Sequence, residues 1–290
     1  MKRPWNEIAL QRATSVQDRE NWARVRLDLG YDGTDFSGWA AQPGRRTVAG
    51  VLSEGLAVLV RPDGATGLTV AGRTDAGVHA TGQVCHVDVA ARRWAPLRDT
   101  LVRRLAGLLP ADLRVYAACE VPASFDARFS ACFRRYEYRV ADSPSGAPPL
   151  RHRDTLAVPR PLDLGALNDA AAGLTGEHNF AAFCRRREHA STIRAISDLR
   201  WRRDPDGILV LGVEADAFCQ AMVRSLVGAM LLVGDGRRPA SWPASLLARR
   251  ERASEVVVAP AHGLTLVAVG YPDDPIEYGQ RAAQTRQRRA

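Results

Sequence analysis

Alternation of apolar and polar residues marks the first regular segment of the chain, Trp22 to Tyr31. Its apolar members are Val25, Leu27, Leu29 and Tyr31, and Arg24, Arg26 and Asp28 stand between them. This period of two predicts a half-buried β-strand. The same alternation recurs in a later segment that ends at Val140. It predicts a second strand, with Arg134, Tyr136 and Tyr138 on one face.

Apolar residues three or four positions apart predict the helices. Thr47 is placed to cap the first of them, which runs on from Val48. Further helices are predicted over residues 97–108, 164–174, 217–233 and 242–249. Further strands are predicted over residues 84–89, 113–119, 193–201, 208–213, 256–259 and 264–269.

Proline-rich sequence between residues 142 and 161 predicts a crossover between two subdomains, because proline breaks regular pairing. The predicted parts are a flexible N-terminal arm over residues 1–21, an N-terminal subdomain over 22–141, the crossover over 142–161, a C-terminal subdomain over 162–272, and a disordered basic tail over 273–290.

Positive charge favours a nucleic-acid partner. The 290 residues include 40 Lys and Arg against 32 Asp and Glu, a formal net charge of +8, and Lys2 is the only lysine. Arginine matches phosphate oxygens and stacks on bases. Genomic base composition is the alternative cause of the skew toward arginine, though not of the excess positive charge.

The chain shows neither a spanning apolar run nor a secretory signal, which predicts a cytoplasmic protein without a membrane partner. The five scattered cysteines are Cys85, Cys119, Cys132, Cys184 and Cys219. We expect reduced and mostly buried thiols, because the chain has no C-x-x-C pair.

One carboxylate, Asp75, lies in a short loop between apolar segments, and Gly72 and Gly77 bracket it. Glycine permits positive φ and close approach of a ligand, so the loop is suited to present a reactive side chain. An ordinary polar hairpin loop with a capping aspartate is the alternative.

Other residues also admit two interpretations. Trp39 is suited either to meet a base or to anchor the core, and the tyrosines of the 133–140 strand either stack on a ligand or pack. Arg224 interrupts the most apolar helix, so it needs an anionic partner unless it reaches solvent.

Metal and cofactor sites receive little support. The histidines lack ligand spacing, nucleotide-binding glycine motifs are absent, and Asp32 with Asp35 is only a weak magnesium signal. A presented carboxylate, a tyrosine and a buried arginine on a basic protein suit covalent carboxylate catalysis on a nucleic acid.

The segment Gly72-Arg73-Thr74-Asp75-Ala76-Gly77-Val78-His79 with Gly82-Gln83-Val84 resembles the signature of the tRNA pseudouridine synthase A family. Further matching motifs follow in the family's order over residues 22–272: Tyr31-Asp32-Gly33, Gly38-Trp39, Arg128-Phe129-Ser130-Ala131, Arg135-Tyr136-Glu137-Tyr138, Phe218 with Met222-Val223-Arg224, and Ala259-Pro260-Ala261-His262-Gly263-Leu264. Ala40 and Ser225 depart from the usual glutamine and asparagine.

The resemblance implies isomerisation of uridine to pseudouridine in the tRNA anticodon stem-loop, around nucleotides 38 to 40, without cofactor or metal. Asp75 would be the nucleophile or base, Tyr136 the general acid or base, and Arg224 the partner of Asp75. Candidate substrate-binding residues are Arg73, Tyr138, Arg185, Arg186 and Arg187. The target uridine must leave its stack to be reached.

The resemblance also implies an α+β pseudouridine synthase fold. In it, two similar halves with mostly antiparallel sheets join across a central cleft, with helices on one face, and the enzyme is a homodimer. Two other functions stay open at this point. One is an RNA-binding or chaperone protein without turnover, and the other is a magnesium nuclease using Asp32 and Asp35.

Overall fold

The computed structural model describes residues 22–60, 64–185 and 191–287, and these form two compact units. Unit 1 contains the described residues up to Ala76, those of Ala80–Cys132, and the described part of Tyr271–Arg288. Unit 2 contains Gly77–His79 and the described part of Phe133–Gly270. The division therefore falls before the strand that begins at Phe133, whereas the sequence analysis assigned that strand to the N-terminal subdomain.

Seven α-helices and ten strands lie in these described ranges. The helices are α1 (Val48–Val60), α2 (Ala91–Trp94), α3 (Leu101–Leu108), α4 (Leu164–Ala172), α5 (Met222–Gly234), α6 (Trp242–Ser245) and α7 (Glu277–Gln287). The strands are β1 (Trp22–Tyr31), β2 (Thr69–Val70), β3 (His79–Ala90), β4 (Leu113–Val121), β5 (Phe133–Ala141), β6 (Leu156–Ala157), β7 (Gly176–Asn179), β8 (Ile193–Arg203), β9 (Leu209–Ala215) and β10 (Leu264–Gly270). Mostly antiparallel strands combined with helices confirm the predicted α+β class.

The sheet of unit 1 is centred on β1, which pairs antiparallel with β3 and β4. Its apolar side chains, Val25, Leu27 and Leu29, are completely buried, as the alternation predicted. Arg24 and Arg26 point to the other face, where Arg24 forms an ion pair with Asp88 at 2.7 Å. The strand is thus amphipathic in the predicted sense.

In unit 2, β5 lies between β9 and β10 and pairs antiparallel with both. Arg134, Tyr136 and Tyr138 are buried on one face of β5, which confirms their predicted common side. On the opposite face, Arg135 forms an ion pair with Glu214 at 2.6 Å. The short β6 pairs parallel with β5, so this sheet is mixed.

Helix α5 begins later than the apolar pattern predicted. Ala221 has a φ of 63°, and it is the only non-glycine residue with positive φ in the described ranges. A residue in this left-handed conformation cannot continue a right-handed helix toward the N-terminus, so α5 begins at Met222. At α1 the predicted cap is confirmed, because the Gly50 N–H donates to Thr47 Oγ1 at 3.2 Å.

The strand predicted over residues 256–259 is wrong. Among the described residues this segment has no ladder partner, and it lies along α5, where the Ala259 N–H donates to the Arg224 carbonyl at 3.0 Å. A Cβ on Gly228 would overlap the carbonyl oxygen of Val257, so the missing side chain allows the close approach.

The prediction of a disordered tail is wrong over residues 277–287, which form α7. The Tyr278 ring packs edge-on against Phe125 at a centroid distance of 5.1 Å. Arg286 forms an ion pair with Asp126 at 2.8 Å. The helix is therefore held on unit 1 by both apolar and charged contacts.

The expectation that all cysteines are reduced is also wrong, because Cys184 and Cys219 form a disulfide with their Cα atoms 5.7 Å apart. Cys85 is the buried free thiol that the sequence analysis expected, while Cys119 is exposed. No helix within the described ranges is long and apolar enough to cross a membrane. The predicted N-terminal arm lies outside the described residues.

Candidate active site

Asp75 lies in the loop that connects β2 to β3 in unit 1. The loop leaves the sheet after the Ala71 N–H donates to the Val84 carbonyl at 2.9 Å. Asp75 is half-buried and Arg73 is exposed. The chain therefore presents an acidic and a basic side chain from a short irregular segment that begins at a sheet edge.

The two bracketing glycines differ in their backbone requirements. Gly77 has a φ of +76°, a conformation that favours glycine. Gly72 does not have a positive φ, and a Cβ built on it would meet no atom within 4 Å. Backbone conformation thus accounts for Gly77, while Gly72 leaves open space beside the loop.

A buried polar cluster, formed by Tyr31, Thr74 and Gln83, supports the loop from inside unit 1. The Tyr31 hydroxyl lies 2.8 Å from Thr74 Oγ1, and Gln83 Nε2 donates to Tyr31 Oη at 3.2 Å. Gln83 Nε2 also donates to the Gly72 carbonyl at 2.9 Å. Burial raises the pKa of Tyr31 to about 12, so this hydroxyl keeps its proton at neutral pH.

A second brace comes from the segment after β1. The Trp39 N–H donates to the Thr74 carbonyl at 3.1 Å. Gly38 has a φ of +89°, and a Cβ there would lie 2.8 Å from that same carbonyl oxygen. Trp39 is only 3% exposed and its ring lies 6.2 Å from that of Tyr31. Trp39 is therefore a core anchor, which settles the two interpretations of this residue.

Tyr136 lies on β5 in unit 2, 8% exposed. Its ring meets Phe218 edge-to-face at a centroid distance of 5.2 Å and an interplanar angle of 89°. Such an arrangement fixes the plane of an aromatic side chain through its quadrupole and its packing. Phe218 itself precedes α5, so this contact joins the strand to the segment that leads into the helix.

Tyr138 lies two residues further along β5 and is completely buried. Its hydroxyl donates to the Pro260 carbonyl at 2.8 Å, and burial raises its pKa although the Arg224 charge opposes that rise. Gly263 packs against the ring, since a Cβ there would lie 2.6 Å from it. These contacts give Tyr138 a packing role and make it a poor candidate for touching a substrate.

Arg224 lies in the first turn of α5, and its side chain is partly exposed. Its Nε donates to the Ala259 carbonyl at 2.7 Å, while its own carbonyl accepts from the Ala259 N–H at 3.0 Å. The paired bonds fix both the backbone and the guanidinium of Arg224 against one segment. The buried Ala259 carbonyl thus accepts one of the hydrogen bonds that the Arg224 guanidinium can donate.

The remaining predicted residues are arginines. Arg73 and Arg185 are exposed, and neither side chain makes an ion pair within the described part of the chain. Arg186 and Arg187 lie outside the described residues. In unit 1 the structure places Asp75 and Arg73, and in unit 2 it places Tyr136, Tyr138, Arg185 and Arg224.

The weak magnesium signal has a structural explanation. Asp32 Oδ1 accepts hydrogen bonds from the Thr34 N–H at 3.0 Å and from Thr34 Oγ1 at 2.6 Å, a turn-forming arrangement. Across the described ranges, no group of three or more His, Cys, Asp or Glu residues is placed to hold a metal ion.

Sequence reasoning missed the supporting cluster. Gln83 was noted only within a motif, and Tyr31 only as the last apolar position of β1 and as a motif residue. Gln83 has no exposed surface, and a polar residue at a buried strand position is the signal that could have identified it.

Comparisons with known proteins find similar sequences over most of the chain. A family model described as tRNA pseudouridine synthase matches residues 170–272. A Streptomyces griseus protein named tRNA pseudouridine synthase A is 55% identical over 273 residues, covering 94% of this chain and 96% of the relative. A Frankia casuarinae protein of the same name is 57% identical over 263 residues, covering 91% and 94%. A Mycobacterium leprae protein of that name is 47% identical, covering 92% and 96%.

Proposed function

The chain belongs to the tRNA pseudouridine synthase A family, and we propose that Asp75 is the residue that acts on the target uridine. The protein is an isomerase that converts uridine in tRNA to pseudouridine. One observation carries the assignment of Asp75. Its half-buried carboxylate extends from an irregular loop in which Gly72 and Thr74 are each fixed by hydrogen bonds.

The reaction sets the requirements for the site. The bond from uracil N1 to ribose C1′ breaks, a bond from C5 to C1′ forms, C5 loses its proton and N1 gains one. No electrons are gained or lost, so acid–base and nucleophilic groups suffice. Asp75 supplies such a group either as a nucleophile, which forms a temporary covalent bond, or as a base.

Tyr136 and Arg224 complete the proposed catalytic set. The phenol of Tyr136 lies against the detached base and transfers a proton, and its edge-to-face contact with Phe218 supports this role by fixing the ring. Arg224 is the proposed cationic partner of the Asp75 carboxylate. The bond from Arg224 Nε to Ala259 supports this role because it fixes the cation.

Phosphate contacts are assigned to Arg73 and to Arg185 with Arg186 and Arg187. The exposed guanidiniums of Arg73 and Arg185 support this assignment, because neither forms an ion pair within the described ranges. The substrate is the anticodon stem-loop around nucleotides 38 to 40, and its target base flips out of the stack. The enzyme acts as a homodimer in the cytoplasm, where the tRNA is found.

An Asp75→Ala variant tests the proposal. We expect no pseudouridine, while the Kd for tRNA stays within about twofold because phosphate contacts dominate affinity. Asp35→Ala is the matched control, since Asp35 is an exposed aspartate of the same unit, and it should keep full activity. Normal turnover by Asp75→Ala would refute the catalytic role.

A further inference from the structure

We propose that Tyr31, Thr74 and Gln83 are positioning residues, which hold the Asp75 loop in its working conformation without touching the substrate. The inference rests on the proposed function of Asp75. It concerns an additional set of residues, because Tyr31 and Gln83 hold the loop from the interior of unit 1 by hydrogen bonds, one of which is made with Thr74 in the loop itself.

The cluster holds the loop at two points on the N-terminal side of Asp75. Gln83 Nε2 donates to the Gly72 carbonyl at 2.9 Å, which is the first point. Thr74 Oγ1 lies 2.8 Å from the Tyr31 hydroxyl, which is the second. The cluster therefore restrains the peptide units that set the direction of the Asp75 side chain.

Gln83 joins the two points, because the same amide nitrogen also donates to Tyr31 Oη at 3.2 Å. Its other amide atom, Oε1, accepts from the Val84 N–H at 3.2 Å in β3. The Tyr31 oxygen accepts from Gln83, and its hydroxyl shares a second hydrogen bond with Thr74 Oγ1, in which either oxygen can be the donor. A continuous set of hydrogen bonds thus links β3 and β1 to the loop.

Burial gives these bonds their importance. Tyr31, Thr74 and Gln83 are 5%, 6% and 0% exposed, so water cannot replace a lost partner. An apolar cluster of similar volume would serve stability equally well, whereas directional hydrogen bonds fix the positions of atoms. Catalytic groups must lie within roughly half an ångström of their productive positions.

Tyr31 does not act as a proton donor to the substrate, because it is buried beneath the loop and bonded to Thr74 and Gln83. The high pKa of this hydroxyl, about 12, agrees with a fixed, neutral hydrogen-bonding group.

Tyr31→Phe is the first test, because it removes one oxygen and keeps the ring. We expect the single-turnover rate of pseudouridine formation to fall about ten- to a hundredfold, with an unchanged Kd for tRNA. Tyr271→Phe is the matched control, since it removes a hydroxyl that donates to the Ala127 carbonyl at 2.7 Å in the same unit. This control should keep the wild-type rate.

Thr74 offers a rescue test. Thr74→Val keeps the side-chain shape without the hydroxyl and should lose rate to a similar extent as Tyr31→Phe. Thr74→Ser keeps the hydroxyl and should retain a rate within about threefold of wild type, because it preserves the hydrogen bond to Tyr31.

These outcomes decide the proposal separately from the role of Asp75. Wild-type rates in Tyr31→Phe and Thr74→Val, with Asp75→Ala inactive, would overturn the positioning role alone. Equal losses in Tyr31→Phe and Tyr271→Phe would also overturn it, because general destabilisation would then explain them. An active Asp75→Ala would instead refute the proposed function.

Discussion

The two units hold their candidate catalytic residues by different means. In unit 1, the loop of Asp75 is fixed by hydrogen bonds from buried side chains, Tyr31 and Gln83 among them. In unit 2, Tyr136 is fixed by the edge of Phe218, and α5 lies so close to the segment at Val257 that only glycine fits between them.

The difference follows from the local backbone. Within the described residues the Asp75 loop has no regular ladder, so buried side chains and the backbone of Trp39 supply partners for its polar groups. Tyr136 lies in the middle of a paired strand, whose backbone is already satisfied, and its ring packs edge-on against Phe218. Unit 1 should therefore be sensitive to lost hydrogen bonds or loop displacement, and unit 2 to changes in side-chain volume.

Among the variants that test this contrast, Gly38→Ala in unit 1 should have the largest effect. The new Cβ would lie 2.8 Å from the Thr74 carbonyl oxygen, and the φ of +89° adds strain. Displacement of the Asp75 loop should lower the rate of pseudouridine formation about a hundredfold. A single-turnover assay with saturating enzyme measures this rate.

Gly44→Ala is the control for that variant. Gly44 has a φ of +69°, but a Cβ there would meet no atom within 4 Å. This substitution should cost about 1 kcal/mol of stability from backbone strain and leave the rate unchanged. Similar rates for both variants would show that Gly38 does not brace the Asp75 loop.

Gly228→Ala tests the packing of unit 2. Its Cβ would overlap the Val257 carbonyl, so the free energy of unfolding should fall by about 3 kcal/mol, as measured by denaturant titration. Gly107→Ala, on exposed helix surface with no atom within 4 Å, should instead raise it by up to about 1 kcal/mol. A harmless Gly228→Ala would contradict the close packing described for α5.

The smallest expected effect is that of Ser225→Ala in unit 2. The Ser225 hydroxyl is buried and has no hydrogen-bond partner among the described residues. Its removal should change the free energy of unfolding by less than about 0.5 kcal/mol, since alanine favours the helix. Thermal or denaturant unfolding provides the value.

Ser130→Ala is the comparison in unit 1, where the Ser130 hydroxyl donates to the Tyr278 carbonyl at 3.0 Å and accepts from the Asp126 N–H at 2.9 Å. Its removal should cost about 1–3 kcal/mol. If both substitutions cost the same, the contrast between hydrogen-bonded and packed units would not hold.

Much of the fold could be predicted from periodicity. The alternation in β1 and β5 identified the buried faces, because each of these strands has one buried side. Residues 256–259 resembled a strand only because they are apolar, and their true partner is the backbone of α5. Helix α7 was missed because its buried residues, Tyr278, Ala282 and Thr285, lie on an otherwise polar helix.

The candidate site was predictable only in part. Asp75 was identified from its bracketing glycines and the family motif, yet Gly72 and Gly77 have different backbone states. The contacts of Gly38 with the loop, and the pairing of Cys184 with Cys219, depend on residues far apart in sequence. Local patterns carry no information about such pairs.

Mapping of pseudouridine in tRNA from cells that lack this protein tests the central claim most directly. The cells are complemented either with the wild-type chain or with an Asp75→Asn variant, which keeps the side-chain shape and removes its charge. We predict that the wild-type chain restores pseudouridine around nucleotides 38 to 40 and that Asp75→Asn restores none. Restoration of pseudouridine by Asp75→Asn would contradict the catalytic role of Asp75.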